Sequence, residues 1–346
     1  MKENDYTKFI DTLEKYEYPA GSILPYQVLE NALEYNRMDW AFDIIDRYRI
    51  DNLNDKDNPI ITAAARYGNK SIFEKLITLG VDINAMTHGK TSAVYRAIAF
   101  QNYEGIRDLL ELGFNMKSYS GGKALRTAAW KGEFEMVRLF VENGADVNFN
   151  GADQVFPYCT TPVQMAADGN HFEIVKYLVE HGADVTIRDK YGNRAFLEAQ
   201  RHNNKEMMDF IKQLEPSIWH EADKRAVELK KMGMPSDIIK WLGNENRRID
   251  LPETCPTEYI EFETIFDVKP IEWKGRVFLD FAKDVENYGG TGFIIWIPDQ
   301  KCLGSLDVEH EELFIFRGVK WNKFIKRLPV FVNHVLNGQP IDELYK

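Results

Sequence analysis

The chain has 346 residues and a formal charge of −11, from 54 acidic and 43 basic side chains. That excess argues against a general nucleic-acid binder and against adsorption to anionic membranes. Three cysteines, Cys159, Cys255 and Cys302, stand far apart with no CxxC or CxxH spacing, so neither a zinc site nor a disulfide framework is indicated.

The N-terminal stretch MKENDYTKFIDTLEKYEY is charged throughout and lacks the apolar centre of a signal peptide. The longest clean apolar run, Phe293 to Ile297, is far too short to span a bilayer. A cytoplasmic protein with reduced thiols is expected, and the length allows about two or three domains.

One amphipathic unit then recurs. Its clearest copy is GEFEMVRLFVENGADVN, residues 132–148, with Met136, Val137, Leu139, Phe140 and Val141 on a broad apolar face. Gly144 stops that helix, because the chain leaves it through a left-handed residue. Equivalent helix-joining positions are Asn36, Gly68, Gln101, Gly132, Asn170 and Asn203, at spacings of 32, 33, 31, 38 and 33. Before the markers lie short small-residue helices such as AAARYG and AAWKG, and after them bulkier ones such as IFEKLI and IVKYLVE. Thr161-Pro162 opens one helix, with proline in the first turn where its missing N–H costs nothing.

The turns NGADVN and HGADVT, and the segment TPVQMAADGNHFEIVKYLVEHGADV, resemble the ankyrin-repeat family over residues 20–214. The TPLH signature is absent from most repeats, with Thr62, Tyr95, Arg126, Gln164 and Leu197 at its histidine place. The resemblance implies an α solenoid of about six repeats, occupying residues 1–214 with an N-terminal cap. The 38-residue spacing marks an insertion at Asn150 to Thr160. It presents Phe156 and Tyr158 on an exposed finger, or else those rings fold back and pack locally.

Residues 215–235 read as a linking helix that covers the end of the last repeat, and Pro235-Ser236-Asp237 restarts a helix at IIKWLG. From Tyr259 the period becomes β-like. In YIEFETIF, Tyr259, Glu261, Glu263 and Ile265 share one face, with Ile260, Phe262, Thr264 and Phe266 on the other. Gly289-Gly290 is a turn, and an apolar-striped helix near Asn322 to Asn337 is kinked or split by Pro329. Residues 236–346 are therefore expected as a separate α+β domain with an antiparallel or mixed sheet of about four to six strands. The segments MGMPSDIIKWLG, GGTGFIIWIPDQKCLGSLDVEHEE and KWNKFIKRLPVFVNHVLNG, in that order, resemble the SUKH superfamily, which includes many bacterial toxin-immunity proteins.

No catalytic or metal motif stands out, and no cofactor is expected. Gly289-Gly290-Thr291-Gly292 precedes a strand, so it is a turn and not a phosphate cradle at a helix N-terminus. Glu309-His310-Glu311-Glu312 lacks the second histidine of HExxH, with Phe314 in its place. An enzyme with repeats that recruit substrate would use Asp307, Glu309 and His310; the weight of the pattern is against it.

Binding is better supported. The residues just before each marker are expected to face the groove of the solenoid, giving an aromatic row of Tyr35, Tyr67, Phe100 and Trp130 flanked by Arg66, Arg96 and Arg126. Lys131 and Met165 join the same face. The alternative is that these rings pack between helices. The two resemblances imply a monomeric, non-catalytic protein-binding module. In the sharper form it is a bacterial immunity protein whose acidic surface meets a basic toxin domain.

Overall fold

The computed structural model describes residues 26–47 and 54–345, and before them residues 6–8, 10–11 and 15. The start of the expected solenoid, residues 20–25, lies outside the described residues. The chain divides into two compact units, Met1–Asp184 and Val185–Lys346.

The first unit is helical. Its helix pairs are Tyr26–Glu34 with Met38–Arg47, Ile60–Ala64 with Lys70–Thr78, Ala93–Ala99 with Tyr103–Glu111, Tyr119–Lys131 with Phe134–Glu142, and Pro162–Asp168 with Phe172–Glu180. Each pair is joined where the chain must reverse within two or three residues. Asn36, Gln101, Gly132 and Asn170 meet that demand with φ between 54° and 78°. Gly68 is not left-handed. It is small because a side chain there would strike the Ala64 carbonyl and the Phe73 ring.

Short inner helices are small-residue helices because they are enclosed. Ala64, Ala65, Ala97, Ala128, Ala129, Ala166 and Ala167 are completely buried. Outer helices contribute the larger wedges Ile72, Phe73, Leu76, Ile106, Leu109, Val137, Phe140, Val175 and Leu178. At about 2 kcal/mol for each fully buried large apolar side chain, this face dominates the stability of the unit. Capping fixes the helix starts. Asn69, Ser92, Asn102 and Ser118 accept from the first-turn backbone, and Thr161 forms a reciprocal capping box with Gln164.

The turns carry an asparagine ladder. Asn54 Oδ1 accepts from Asp82 N at 2.7 Å, Asn84 Oδ1 from Asn115 N at 2.9 Å, and Asn148 Oδ1 from Asp184 N at 2.7 Å. Asn54 and Asn148 also donate to the Gly80 and Gly182 carbonyls. Lys117 stands at the equivalent place in the turn between, and an ammonium has no lone pair to accept the next turn's amide.

The second unit begins with the pair Ala195–Arg201 and Lys205–Leu214, joined by left-handed Asn203. After Leu214, Glu215 and a 3-10 turn, Ser217–Trp219, are tied by side chains to residues that precede the pair. Arg194 is buried against Glu215 at 2.6 Å, His220 holds the other Glu215 oxygen at 2.8 Å, and the Arg188 guanidinium lies 4.6 Å over Trp219. Helices Ala222–Lys231 and Ser236–Leu242 follow, then eight strands. These are β1 Arg248–Asp250, β2 Tyr259–Phe262, β3 Lys269–Trp273, β4 Arg276–Asp280, β5 Ala282–Val285, β6 Ile295–Ile297, β7 Cys302–Asp307 and β8 Glu312–Phe316.

They form two antiparallel sheets where the sequence reading expected one. The three-stranded sheet has the order β1-β2-β5, and the five-stranded sheet β3-β4-β6-β7-β8. The chain leaves one sheet for the other at Phe281, between β4 and β5. In β2 the alternation holds, with Ile260 and Phe262 buried and Tyr259 and Glu261 half-buried. A core of Ile260, Phe262, Phe281, Leu303, Phe316, Trp321, Phe324 and Phe331 is shared by both sheets and the closing helices. Those helices, Trp321–Lys326 and Leu328–Asn337, are split at Arg327, since a proline at 329 denies the preceding turn a hydrogen bond.

Candidate functional site

On the first unit the expected aromatic row is present in part. Tyr35, Phe100 and Trp130 are exposed by 59%, 38% and 43%, and Tyr67 is half-buried. The rings gather in clusters. Tyr67 and Phe100 meet edge-on at 6.0 Å, with the Arg66 guanidinium 3.9 Å over Phe100. Arg66 is also ion-paired to Glu30. Stacking an arginine on two rings while it keeps a carboxylate fixes its fork in one orientation.

Arg96 differs. It is half-buried, lines a small cleft of about 190 Å³ with Glu30, Asn58, Thr62 and Arg66, and its Nε has no hydrogen-bond partner among the described residues. A guanidinium presents its donors in a planar fork, so this place suits a carboxylate.

The second cluster is Trp130 with Phe156, edge-on at 5.9 Å. Phe156 is only 8% exposed, so the exposed-finger expectation is corrected in favour of a loop that folds back. The cause is Arg126. Its side chain is fully buried, ion-paired to Asp153, and donates to the Gly151 and Thr160 carbonyls at 2.8 and 2.9 Å. Its guanidinium lies 4.8 Å from both Phe149 and Phe156. Arg126 thus ties the insertion down and does not flank the row. Tyr158 is half-buried.

Met165 is 6% exposed and belongs to the core, a second correction. Lys131 is half-buried and donates to the Ala99 carbonyl at 3.1 Å, completing the C-terminal end of the neighbouring inner helix.

The enzyme candidates close on one another. Asp307 accepts from the Glu309 and His310 amides and from His310 Nδ1 at 2.8 Å, in the exposed β7–β8 hairpin. The Asp307 carboxylate raises the His310 pKa through that hydrogen bond and its charge. This is turn chemistry. Among the described residues no group of three or more His, Cys, Asp or Glu could hold a metal.

Sequence reasoning missed a second place. In the second unit a cleft of about 580 Å³ opens where the two sheets part, lined by Arg201, Glu261, Glu263, Thr264, Asp267, Lys269 and Asp284 among others. Lys269 is 5% exposed and donates to Asn193 Oδ1 at 3.2 Å. Its Nζ is 3.7 Å from Glu263 and 3.7 Å from Asp280. Burial pushes the Glu263 carboxyl up from 4.5 to about 8 and the Asp280 carboxyl up from 3.8 to about 6, against the pull of Lys269. One signal was readable: Asp280 is a lone acid within the apolar run VFLDFA, residues 277–282.

No helix among the described residues is long and apolar enough to cross a membrane. No curated protein matches the chain. The model of the family "Ankyrin repeats (3 copies)" matches residues 60–151 and 125–221. Such repeats are non-catalytic interaction modules. The N-terminal part of this chain is therefore built of ankyrin repeats and is a protein–protein interaction module.

Proposed function

We propose that the protein binds its partner through the inner-helix face of the first unit, with Trp130, Phe100 and Tyr67 as aromatic anchors and Arg66 and Arg96 as the polar contacts. The observation that supports this reading is the gathering of exposed rings, with Arg66 stacked on Phe100, beside a cleft lined by Arg66 and Arg96. Aromatic side chains and arginine are the commonest anchors of interfaces. The sharper reading is a cytoplasmic bacterial immunity protein, monomeric when free, with a SUKH-like domain over residues 236–346 and a basic toxin domain as its partner. The charge of −11 supports it, since complementary fields speed and select encounter.

The test is a pull-down from native lysate with the intact chain and with a Tyr67→Ala, Trp130→Ala double variant, read by mass spectrometry. A partner retained by the parent and lost by a folded double variant supports the face. A basic captured protein whose toxicity the chain suppresses supports the immunity reading. Equal capture by both chains, or an unfolded double variant, assigns the rings to scaffold.

A further inference from the structure

We propose that the cleft of the second unit is a binding site for an organic cation, an ammonium or guanidinium group that pairs with Glu263. The inference is independent of the repeat face, and a negative pull-down leaves it standing.

Most of the charges around the cleft are already used. At the rim, Glu261 is paired with Lys283 at 2.6 Å, and Asp284 accepts from the Tyr259 hydroxyl at 2.7 Å. Arg201 is held by Glu198 at 2.6 Å, and Arg247 donates to the Asn244 and Glu245 carbonyls. Deeper in, Asp267 accepts from the Thr264 hydroxyl at 2.6 Å.

That leaves Glu263 and Asp280 sharing one ammonium. Lys269 donates to Asn193 and stands 3.7 Å from each carboxylate, beyond hydrogen-bond distance. Asp280 is fully buried, and its Oδ2 has no hydrogen-bond partner among the described residues. Glu263 is 9% exposed, lines the cleft, and has no side-chain hydrogen bond among the described residues; its nearest opposite charge is that of Lys269. Glu263 and Asp280 therefore share the Lys269 ammonium at 3.7 Å each, and of the two Glu263 lines the cleft.

Leaving a carboxyl buried without a hydrogen-bond partner is costly, and such a group calls for a proton or a cation to satisfy it. A proton fills the deficit in the free protein, and a ligand cation replaces it. The groups that face Glu263 are Lys269 of β3, Asp280 of β4, Lys283 at β5 and Asp267 on its own loop. Arg201 lines the same cleft. A metal ion is a poor fit, because no suitable ligand group exists among the described residues. The volume is that of a small-molecule pocket and exceeds a bare amine, so the cation is carried on a body of amino-acid size. A free metabolite or a basic side chain of a protein both supply that chemistry.

The experiment is isothermal titration of the full chain at about pH 7 with N-acetyl-arginine amide, N-acetyl-lysine amide, a penta-arginine peptide and the neutral isostere N-acetyl-citrulline amide. Saturable binding of a cationic probe is expected, with release of about one proton per cation in buffers of different ionisation enthalpy. Affinity for the citrulline compound, and affinity of Glu263→Gln for the cation, are expected to be weaker by about tenfold or more. Binding of the amides identifies a small-molecule source and binding of the peptide alone a protein source; either supports the proposal. No saturation by any cation, equal affinity for the citrulline compound, or binding without proton release overturns it. The proton count is taken on the parent chain, so it stands even if Glu263→Gln fails to fold.

Discussion

Replacing Glu263 by glutamine removes a carboxyl that folding forces to stay protonated. The group's ordinary value is 4.5, and burial raises it to about 8 in the folded chain. Between those two values the folded state holds a proton that the unfolded state has released. Stability therefore falls as pH rises through that window. The contribution is fully present below about pH 4.5 and lost above about pH 8. At about 1.4 kcal/mol per pH unit, the loss sums to about 5 kcal/mol for the second unit. Asp280 acts with the same sign between 3.8 and about 6, but it is present in both chains and cancels in the comparison.

Glu263→Gln should match the parent near pH 4.5 and exceed it increasingly towards pH 9, by about 2–5 kcal/mol. Urea unfolding followed by tryptophan fluorescence reads the difference. Trp219, Trp241, Trp273, Trp296 and Trp321 all lie in the second unit, so the signal reports chiefly on it. A difference that stays flat with pH, or a parent more stable than the variant at about pH 9, would refute the reasoning. It would show Glu263 ionised and stabilised by Lys269.

Two further substitutions probe the scaffold. Asp153→Ala leaves the buried Arg126 guanidinium without its counter-charge, and should cost the first unit about 3–5 kcal/mol by thermal or urea unfolding. A cost below about 1 kcal/mol would mean that water reaches Arg126. Gly192→Ala places a side chain 2.5 Å from the Pro270 carbonyl at a residue whose φ is +76°. It should cost about 1–3 kcal/mol and speed hydrogen exchange in residues 188–194, and unchanged exchange would count against that close approach.

The repeats were legible because their information is local. A 3.6-residue apolar period, a small left-handed residue and an Asp or Asn turn each act within a few positions. Asn36, Gln101, Gly132, Asn170 and Asn203 duly take positive φ. The split at Arg327 and the alternation in β2 were legible for the same reason. What was hidden depends on partners distant in sequence. Arg126 is buried by Asp153, 27 positions away, and that pairing turns Phe156 inward. The sheet divides in two because β5 finds β2 while β4 finds β3 and β6. The cleft draws Asn193 and Lys269 together across 76 positions. No window of the sequence contains those pairs, and only Asp280, isolated among apolar neighbours, betrays that something polar lies within.

The asparagine ladder has a mechanical consequence. A run of turn-to-turn hydrogen bonds resists shear between successive repeats, and it is interrupted at Lys117. That interruption falls between the repeat that ends in the turn at Asn115 and the one that ends at Asn148, whose inner helices carry Phe100 and Trp130 respectively. Side chains span the same seam elsewhere: Lys131 donates to the Ala99 carbonyl and the Tyr103 hydroxyl to the Glu133 carboxylate. The two repeats that carry the aromatic clusters are thus tied through their helices at the step where the turns are not.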